Sequence, residues 1–533
     1  MYNSWLVTIP PLLVLAVALW SRNIIIAFFT GIIAAALVVA DFNPINTLLV
    51  IWAHTLSTIT DIYNIYVYAF LILMGVIVSL LSFTGAATAF GDKVASHITS
   101  PRKAEQSTLF FSVLLFLDDY LNSLTVGYVM HPLTDKFKIP RVKLAFIIHS
   151  MAAPLAMIIP ISSWLAWIIR QIALSGISLD PTENPIIVAD PFYVYIKSIP
   201  YIFYSFLMIA ITLFIIQRRI SFGPMAIQEE IAESTGNLFG GRKPIGHILQ
   251  QGPLTNNASL FDFLFPIITL VGCTVLGILY TGGYWMLGGP NTLIETFQNT
   301  KILPILFYAC TITLGLSISL FLYHKKLTLS QVPDIFAKGV QVMGLAVVMV
   351  FFAGIFAELL REDLQTGQYV AGLLVNHFSV QFLPLILFVV SSLIAICTGS
   401  SWGTMAIMTP FAVPFLLKLL HLDAQVDVDT ICLLFPCLGA VFSGSVAGDH
   451  ISPISETTIM ATTSSGCHMM DHVYTQLPYG AIALVSTGIS FLVVGLMPCT
   501  NYWLSVGVSM GTGLAVSFIS LVLFNKMWKS KAS

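Results

Sequence analysis

STLFFSVLLFLDDYLNSLTVGYVMH (107–131) sets two adjacent carboxylates, Asp118 and Asp119, directly behind the apolar run Leu109–Leu117. An ionisable side chain at a bilayer centre costs about 2.5–3.5 kcal/mol on insertion scales, so few are kept there without a task. Asn122 and Thr125 follow about one helical turn on. With the two acids they supply hard oxygens suited to Na+, or a titratable group for H+. The stretch is apolar enough for a membrane, yet Gly127 and its polar residues mark it as something other than a plain span.

The chain as a whole agrees. Of its 533 residues 57% are hydrophobic and 9% charged, against about 25% charged in soluble domains. Mean hydropathy is +0.89. No soluble core hides that much apolar surface, so lipid is the main solvent. A net charge of −2 excludes a nucleic-acid partner. The seven cysteines form no CxxC pair and read as small buried thiols. The start, MYNSWLVTIPPLL, lacks the basic segment of a signal peptide, so the first apolar run is expected to be retained.

A spanning helix needs about 20 mostly apolar residues. Runs near 5–20, 24–41, 66–87, 144–170, 196–216, 261–281, 303–323, 339–360, 431–447, 478–498 and 504–525 qualify or nearly do. Basic connectors sit at Arg22, Arg102–Lys103, 136–143, Arg218–Arg219, Arg242–Lys243, Lys325–Lys326 and the tail (Lys526, Lys529, Lys531). Acidic ones sit at Asp180, Glu183 and Asp190, and at Asp423, Asp427 and Asp429. With the basic set cytoplasmic, the N-terminus is outside and the C-terminus inside. Segment 107–131 then enters and leaves by the cytoplasmic face, and segment 382–420 by the outer face. Both are expected to be re-entrant hairpins, which are tolerated only where they are buried in protein or line a watery cavity.

The two hairpins head a repeat. Met130-His131-Pro132 and then Pro160-Ile161-Ser162 in the first half answer Met408-Thr409-Pro410 and Pro453-Ile454-Ser455 in the second, at offsets of 278 and 293 residues. The expected fold is an all-α polytopic membrane protein of about eleven transmembrane helices plus two hairpins in inverted-topology repeats. Such repeats, with broken helices meeting at mid-membrane, characterise secondary transporters. The parts are an extra helix (1–23), a first repeat (24–216), a linker with a connecting helix (217–302), a second repeat (303–498) and a final helix with a tail (499–533).

Three further stretches hold polar groups in apolar surroundings. At the second tip, Thr398, Ser400 and Ser401 flank Gly399, where small residues let backbone approach a ligand. The most informative stretch, SGSVAGDHISPISETT (443–458), brings Asp449, Ser452, Ser455, Glu456 and Thr457 around Pro453. Proline frees a carbonyl one turn back, and hydroxyls can complete a cation shell. Ser162 and Ser163 are the first-half counterparts. Na+ is assigned to Asp118, Asn122, Asp449 and Ser455, and proton coupling to Asp119, His149, Asp449 and Glu456. His468 and His472 share a helical face and read as a polar cluster at the cytoplasmic end, and Glu358 as an interfacial cap.

DDYLNSLTVGYVMHPLTDKFKIPRVKLAF (118–146), AAPLAMIIPISSW (152–164), TGSSWGTMAIMTPF (398–411) and GDHISPISETTIMATTSSGCHMMDHVYTQLPY (448–479) resemble the NhaC-type sodium/proton antiporter family, within the broader ion-transporter superfamily. The resemblance implies a transport domain holding both hairpins, a separate scaffold and elevator-like alternation in a homodimer of a bacterial inner membrane. It also implies Na+ coupled to H+, with Asp118, Asp119, Asn122, Asp449, Ser452, Ser455 and Glu456 at the motif positions. His131 stands where arginine is expected, His149 where aspartate is expected and Glu456 where aspartate is usual. Relatives of the family exchange carboxylates such as malate and lactate, or move amino acids. A transporter of a small organic anion or amino acid is therefore the alternative to Na+/H+ antiport. An intramembrane hydrolase using Asp119 and Asp449, or a passive channel, fits less well. The expected partners are lipid and a small cation or organic anion, with no cofactor beyond the transported Na+ and H+.

Overall fold

A computed structural model describes residues 5–21, 23–85, 98–179, 185–244, 259–298, 300–366, 369, 379–422, 426–453, 455–497 and 501–532. Arg22, Asp180, Glu183, Asp423, Ile454 and Cys499, used in the sequence reading, lie outside the described residues.

The apolar runs become helices because a helix satisfies its own backbone hydrogen bonds where no water is available. The chain opens with α1 (Ile9–Ser21), α2 (Ile24–Val39), α3 (Pro44–Thr60) and α4 (Ile62–Phe83). Asn23, Asn43 and Asp61 cap the last three by accepting backbone N–H groups. Helix α3 fell between the predicted runs. Its polar residues break the hydropathy, while Ile45, Leu48, Leu49, Trp52 and Leu56, at helical spacing, stay exposed as a stripe suited to lipid.

Next come α5 (Pro101–Leu114), α6 (Asp119–Lys136), α7 (Arg141–Ile158) and α8 (Trp164–Leu174). The predicted single run 144–170 is thus two helices, parted at 159–163 around Pro160, which has no N–H to continue the first. The bent pair α9 (Pro191–Ser198) and α10 (Phe203–Arg218) follows, turning by 44°. Then come the short α11 (Pro224–Thr235), α12 (Leu260–Thr281), α13 (Leu293–Gln298), α14 (Ile302–Tyr323) and α15 (Val332–Glu358). Four helices then follow, α16 (Leu383–Thr398), α17 (Ser401–Leu419), α18 (Leu434–Ile451) and α19 (Glu456–Ser465). The long α20 (Met469–Leu496) and α21 (Tyr502–Ala532) close the chain. Strands β1 (Ile177–Ser178), β2 (Ile187–Val188) and β3 (Val426–Asp427) pair in parallel and tie two distant connections together.

Among the described residues nine helices, or ten if α9 and α10 make one span, are long and apolar enough to cross a membrane, against the eleven expected. Helices α1, α2 and α8 fall short, and α16 and α17 are each counted. The chain is a multi-pass membrane protein.

Helices α5 and α7 run side by side in the same direction. Lys143 near the start of α7 bonds Glu105 near the start of α5 (2.9 Å), and Ser163 beyond α7 meets Leu117 beyond α5. Helices α16 and α18 are likewise parallel. A Cβ at Gly444 would touch Phe388 O, one at Gly448 would touch Ser392 O, and Ser452 Oγ donates to Ile396 O. One group of helices comprises α1–α4, α12, α14 and α15, with α4 and α15 in backbone contact at Gly75 and Gly339. The other comprises α5–α8, α10 and α16–α21, and meets the first mainly through α8 and α17.

Ion pairs gather at the two ends of the helices. At one rim Lys143 joins Glu105 and Glu229, Arg242 joins Asp471, and Lys326 joins Asp262. At the other Arg170 joins Asp61 and Glu358, His54 joins Glu358 and Asp363, and Lys197 joins Asp429. Glu358 thus binds across helices rather than merely capping one. Cys432, before α18, is disulfide-bonded, which corrects the reading of every cysteine as a buried thiol; Cys397 is a free but exposed one.

Candidate functional site

The break between α5 and α6 (115–118) and the start of α6 form one centre. Asp118 and Asp119 are each 1% exposed. Both are met by the residues that follow the α7 break. Ser163 N–H donates to Leu117 O (2.8 Å), Ser163 Oγ to Asp118 Oδ2 (2.7 Å), and Trp164 Nε1 to Asp119 Oδ1 (3.0 Å). Ser162 Oγ donates back to Ala156 O and accepts from Trp164 N–H, holding the turn. Asn122 donates to Ser112 O (2.7 Å), which ties α6 to α5, while its Oδ1 is buried without a partner. Thr125 is buried one turn on.

A second centre forms where α18 breaks into α19. Asp449, 2% exposed, accepts from Ser455 Oγ (2.7 Å) and from the Thr457 hydroxyl. A hydroxyl has one proton to give, so Thr457, having donated to Asp449, accepts from His149 Nε2 (2.9 Å). That sets the His149 tautomer. Its Nδ1 then accepts, facing His472 Nε2 and Gln476 Nε2, each at 3.0 Å. His149 Nε2 lies 4.0 Å from Asp449 Oδ2, and Tyr204 OH pairs with His450 Nδ1 at 3.1 Å.

The two centres are joined. Tyr120 OH donates to Glu456 Oε2 (2.5 Å), and Ser464 Oγ to Ser123 O (2.6 Å), so α19 lies along α6. The second break, at Gly399 (φ 65°), brings Trp402 against Trp164 at 5.6 Å between ring centroids. One side chain, Trp164, thus touches both breaks.

Each residue singled out from the sequence has a definite place. Asp118 goes with Ser163, Asp119 with Trp164, and Asp449 with Ser455, Thr457 and His149. Glu456 reaches the first centre through Tyr120. Ser452 bonds the end of α16. The hydroxyls of the second tip are engaged with backbone: Thr398 with Ile394 O, Ser400 with Gly403 N–H, and Ser401 with Ser445 O. Of the four residues assigned to Na+, Asp449 and Ser455 touch each other, while Asp118 and Asn122 bond Ser163 and Ser112 instead. Among the described residues no group of three or more His, Cys, Asp or Glu could hold a metal ion. His468 and His472 separate, one half-buried beside Lys243 O and the other buried on His149. Tyr120, Trp402, Tyr204 and Gln476 escaped the sequence reading, and Trp164 and His450 stand within chosen stretches without a role of their own. Tyr120 and Trp164 adjoin chosen residues, and their polar tips were the available signal.

The fold and parts of the chain have known counterparts. A solved transporter, YdaH of Alcanivorax borkumensis, superposes with a TM-score of 0.51 at 14% identity, over 91% of this chain and 98% of that one. An uncharacterised protein of Haemophilus influenzae is 31% identical over 91% of this chain and 90% of its own length. The malate-2H(+)/Na(+)-lactate antiporter of Bacillus subtilis is 29% identical over 25% of this chain and 27% of its own. The Na+/H+ antiporter family model matches residues 155–496, which include the α7 break, the second tip and the Asp449 centre. With well over half its length matched, the chain belongs to the Na+/H+ antiporter family.

Proposed function

We propose that this secondary transporter exchanges Na+ for H+, with the ions competing for carboxylates at the two joined centres. The observation that carries the reading is that Asp118 and Asp449, both buried among helices, each take a serine hydroxyl from the segment after a broken helix. A carboxylate with hydroxyls and nearby carbonyls suits a monovalent hard cation, and the same carboxylate takes a proton when the cation leaves. Asp118, Asp119, Asn122, Asp449, Ser455 and Thr457 are the proposed ion ligands, with Asp119, His149, Asp449 and Glu456 coupling protons.

The α5–α6 and α16–α17 pairs are read as re-entrant hairpins of inverted repeats. The Glu105–Lys143 pair supports the first, since it brings the start of α5 to the rim where α6 ends and α7 begins. The parallel course of α16 and α18 supports the second. The hairpin group would move against the α4–α15 group, as a homodimer. A cytoplasmic C-terminus and a bacterial inner membrane complete the reading. The disulfide at Cys432, on the connection assigned to the outside, supports that orientation, since disulfides persist in oxidising compartments.

The test is purified protein in liposomes under an imposed pH gradient. Na+ is expected to move protons, and Asp449→Asn to abolish the movement; absence of any Na+-dependent proton flux in the unaltered chain would sink the reading. A second reading, coupled exchange of a small organic anion, is favoured by the partial likeness to the malate/lactate antiporter. Malate- or lactate-driven flux in the same liposomes, without bare Na+/H+ exchange, would establish it instead.

A further inference from the structure

A cavity of about 540 Å³ opens at the rim where α4 begins and α8 and α15 end. Asp61, Asp190, Glu358 and Glu362 line it against Arg170 and Lys301. Burial pushes the Asp190 carboxyl up to about 7, so negative charge stays in excess even when that group is protonated. The cavity lies between the two groups of helices and favours a cation over an anion.

From this vestibule α8 leads to the Asp118–Asp119 centre. Trp164, Trp167 and Gln171 stand at positions i, i+3 and i+7, on one face of the helix. Trp164 donates to Asp119. Trp167 packs on Trp402 of α17 at 5.3 Å, and the Nε1 of both rings is buried without a partner. Gln171 is fully buried, and neither its Nε2 nor its Oε1 has a partner. Buried polar atoms are nearly always paired, and an orphan marks a place for water, an ion or a reacting group. Here the orphans are not scattered. They follow one helical face from the carboxylates to the next turn's Leu174, which lines the vestibule. A mere packing face would carry apolar groups there, as the adjoining face of the helix does with Leu165 and Ile172.

We propose that the face of α8 bearing Trp164, Trp167 and Gln171 lines the route by which the transported cation passes between this acidic vestibule and Asp119. Gln171 is the first polar group past the vestibule, its amide oxygen replacing water for the ion and its N–H₂ bonding the water that travels with it. The inference rests on the reading that the cargo is a cation.

The test is thiol labelling with a membrane-impermeant methanethiosulfonate, applied from the vestibule side to the full chain in vesicles. The unaltered chain supplies the background from its own cysteines, and Na+, Li+ and K+ are the protecting ions. Gln171→Cys and Ala173→Cys, a vestibule residue, are expected to label, and Ile172→Cys roughly tenfold more slowly, since reactivity follows access. Na+ should slow labelling at Gln171→Cys, and the bulky adduct at Ala173→Cys should abolish transport. Labelling of folded Gln171→Cys no faster than Ile172→Cys would overturn the route. So would unchanged transport after complete modification at Ala173→Cys, a one-atom change that keeps the test alive if the Gln171 variant does not fold. Failure of the antiport reading shows separately, as absent Na+/H+ exchange in the unaltered chain.

Discussion

Gly448→Ala is the sharpest test of how the second centre is held. The added Cβ would lie 2.3 Å from Ser392 O and 2.5 Å from Ala395 Cβ, whereas ordinary contact begins at 3.4 Å. Neither obstacle is the loose end of a side chain, so α16 and α18 must part by about 1 Å, the difference between those contact distances. Overpacking of this kind costs about 1–3 kcal/mol, and a backbone obstacle puts it near the top. Alanine returns about 1 kcal/mol of helix propensity, which leaves a net loss of about 2 kcal/mol. The matched control is Gly488→Ala on α20, whose Cβ would meet Leu385 Cδ1 at 3.6 Å, an ordinary contact. There only the propensity gain of about 1 kcal/mol remains. Unfolding of both variants in detergent, followed by tryptophan fluorescence, should separate them by about 3 kcal/mol. Transport by Gly448→Ala should also fall, because Asp449 is its neighbour and the Ser452–Ile396 bond spans the same seam. Equal stability of the two variants would refute the close α16–α18 packing and, with it, the geometry of the second centre.

Trp164→Phe keeps a ring against Trp402 but removes the N–H given to Asp119. A hydrogen bond to a charged group is worth about 1.5–3 kcal/mol, so ion affinity measured by calorimetry should change by tenfold or more, and an unchanged affinity would remove Trp164 from the site. Lys143→Met strands Glu105 and Glu229, and breaking such a buried pair costs about 3–5 kcal/mol; thermal melting reads this directly. At His54, hydrogen bonds to Asp363 and then Glu358 raise the imidazole from 6.5 to about 9. The folded state holds that proton more tightly, so the contribution is complete below pH 6.5 and disappears as pH rises through 9. His54→Gln should therefore lose the part of the stability decline over that window that this group causes, and identical pH profiles would contradict the assignment.

What was legible in the sequence was what lipid makes conspicuous. Asp118–Asp119 and Gly399–Ser400 interrupt apolar runs, and helices break there; Pro160 and Pro453 cannot extend a helix, and helices end beside them. Such signals are local, since each residue conflicts with its own surroundings. Helix α3 was missed for the converse reason: its hydrophobic residues are spaced along one face, so a running average dilutes them. The His149–His472 pair was missed because it joins residues 323 positions apart, and nothing in either segment says that α7 faces α20. The sequence marks His149 as a substitution for an expected acid and as a proton-coupling residue, but names no partner for it. Its partner His472 shares a helical face with His468 in the sequence reading, yet over four residues a fully buried ring gives way to a half-buried one.

If the repeat proposed from the sequence holds, it bears on where the acids gather. At the offset of 293 residues, Ser162 answers Ser455 and Ser163 answers Glu456. In each half the first of the pair holds its turn, Ser162 by bonding Ala156 O and Ser455 by capping α19. The second reaches out, and both reach the same place: Ser163 bonds Asp118 and Glu456 bonds Tyr120, so equivalent positions bracket the first break from two sides. The second break receives no such pair, and its hydroxyls serve backbone. If Glu456 supplies charge as well as an acceptor, two variants separate the roles. Glu456→Gln keeps an oxygen for Tyr120 and should melt near the unaltered chain while losing proton-coupled transport. Glu456→Ser, which makes the halves alike, cannot span to Tyr120 and should lose the bond as well, about 1.5–3 kcal/mol. Full transport by Glu456→Gln would show that its charge is dispensable, and equal melting of the two variants would show that the Tyr120 bond does not hold α19 to α6.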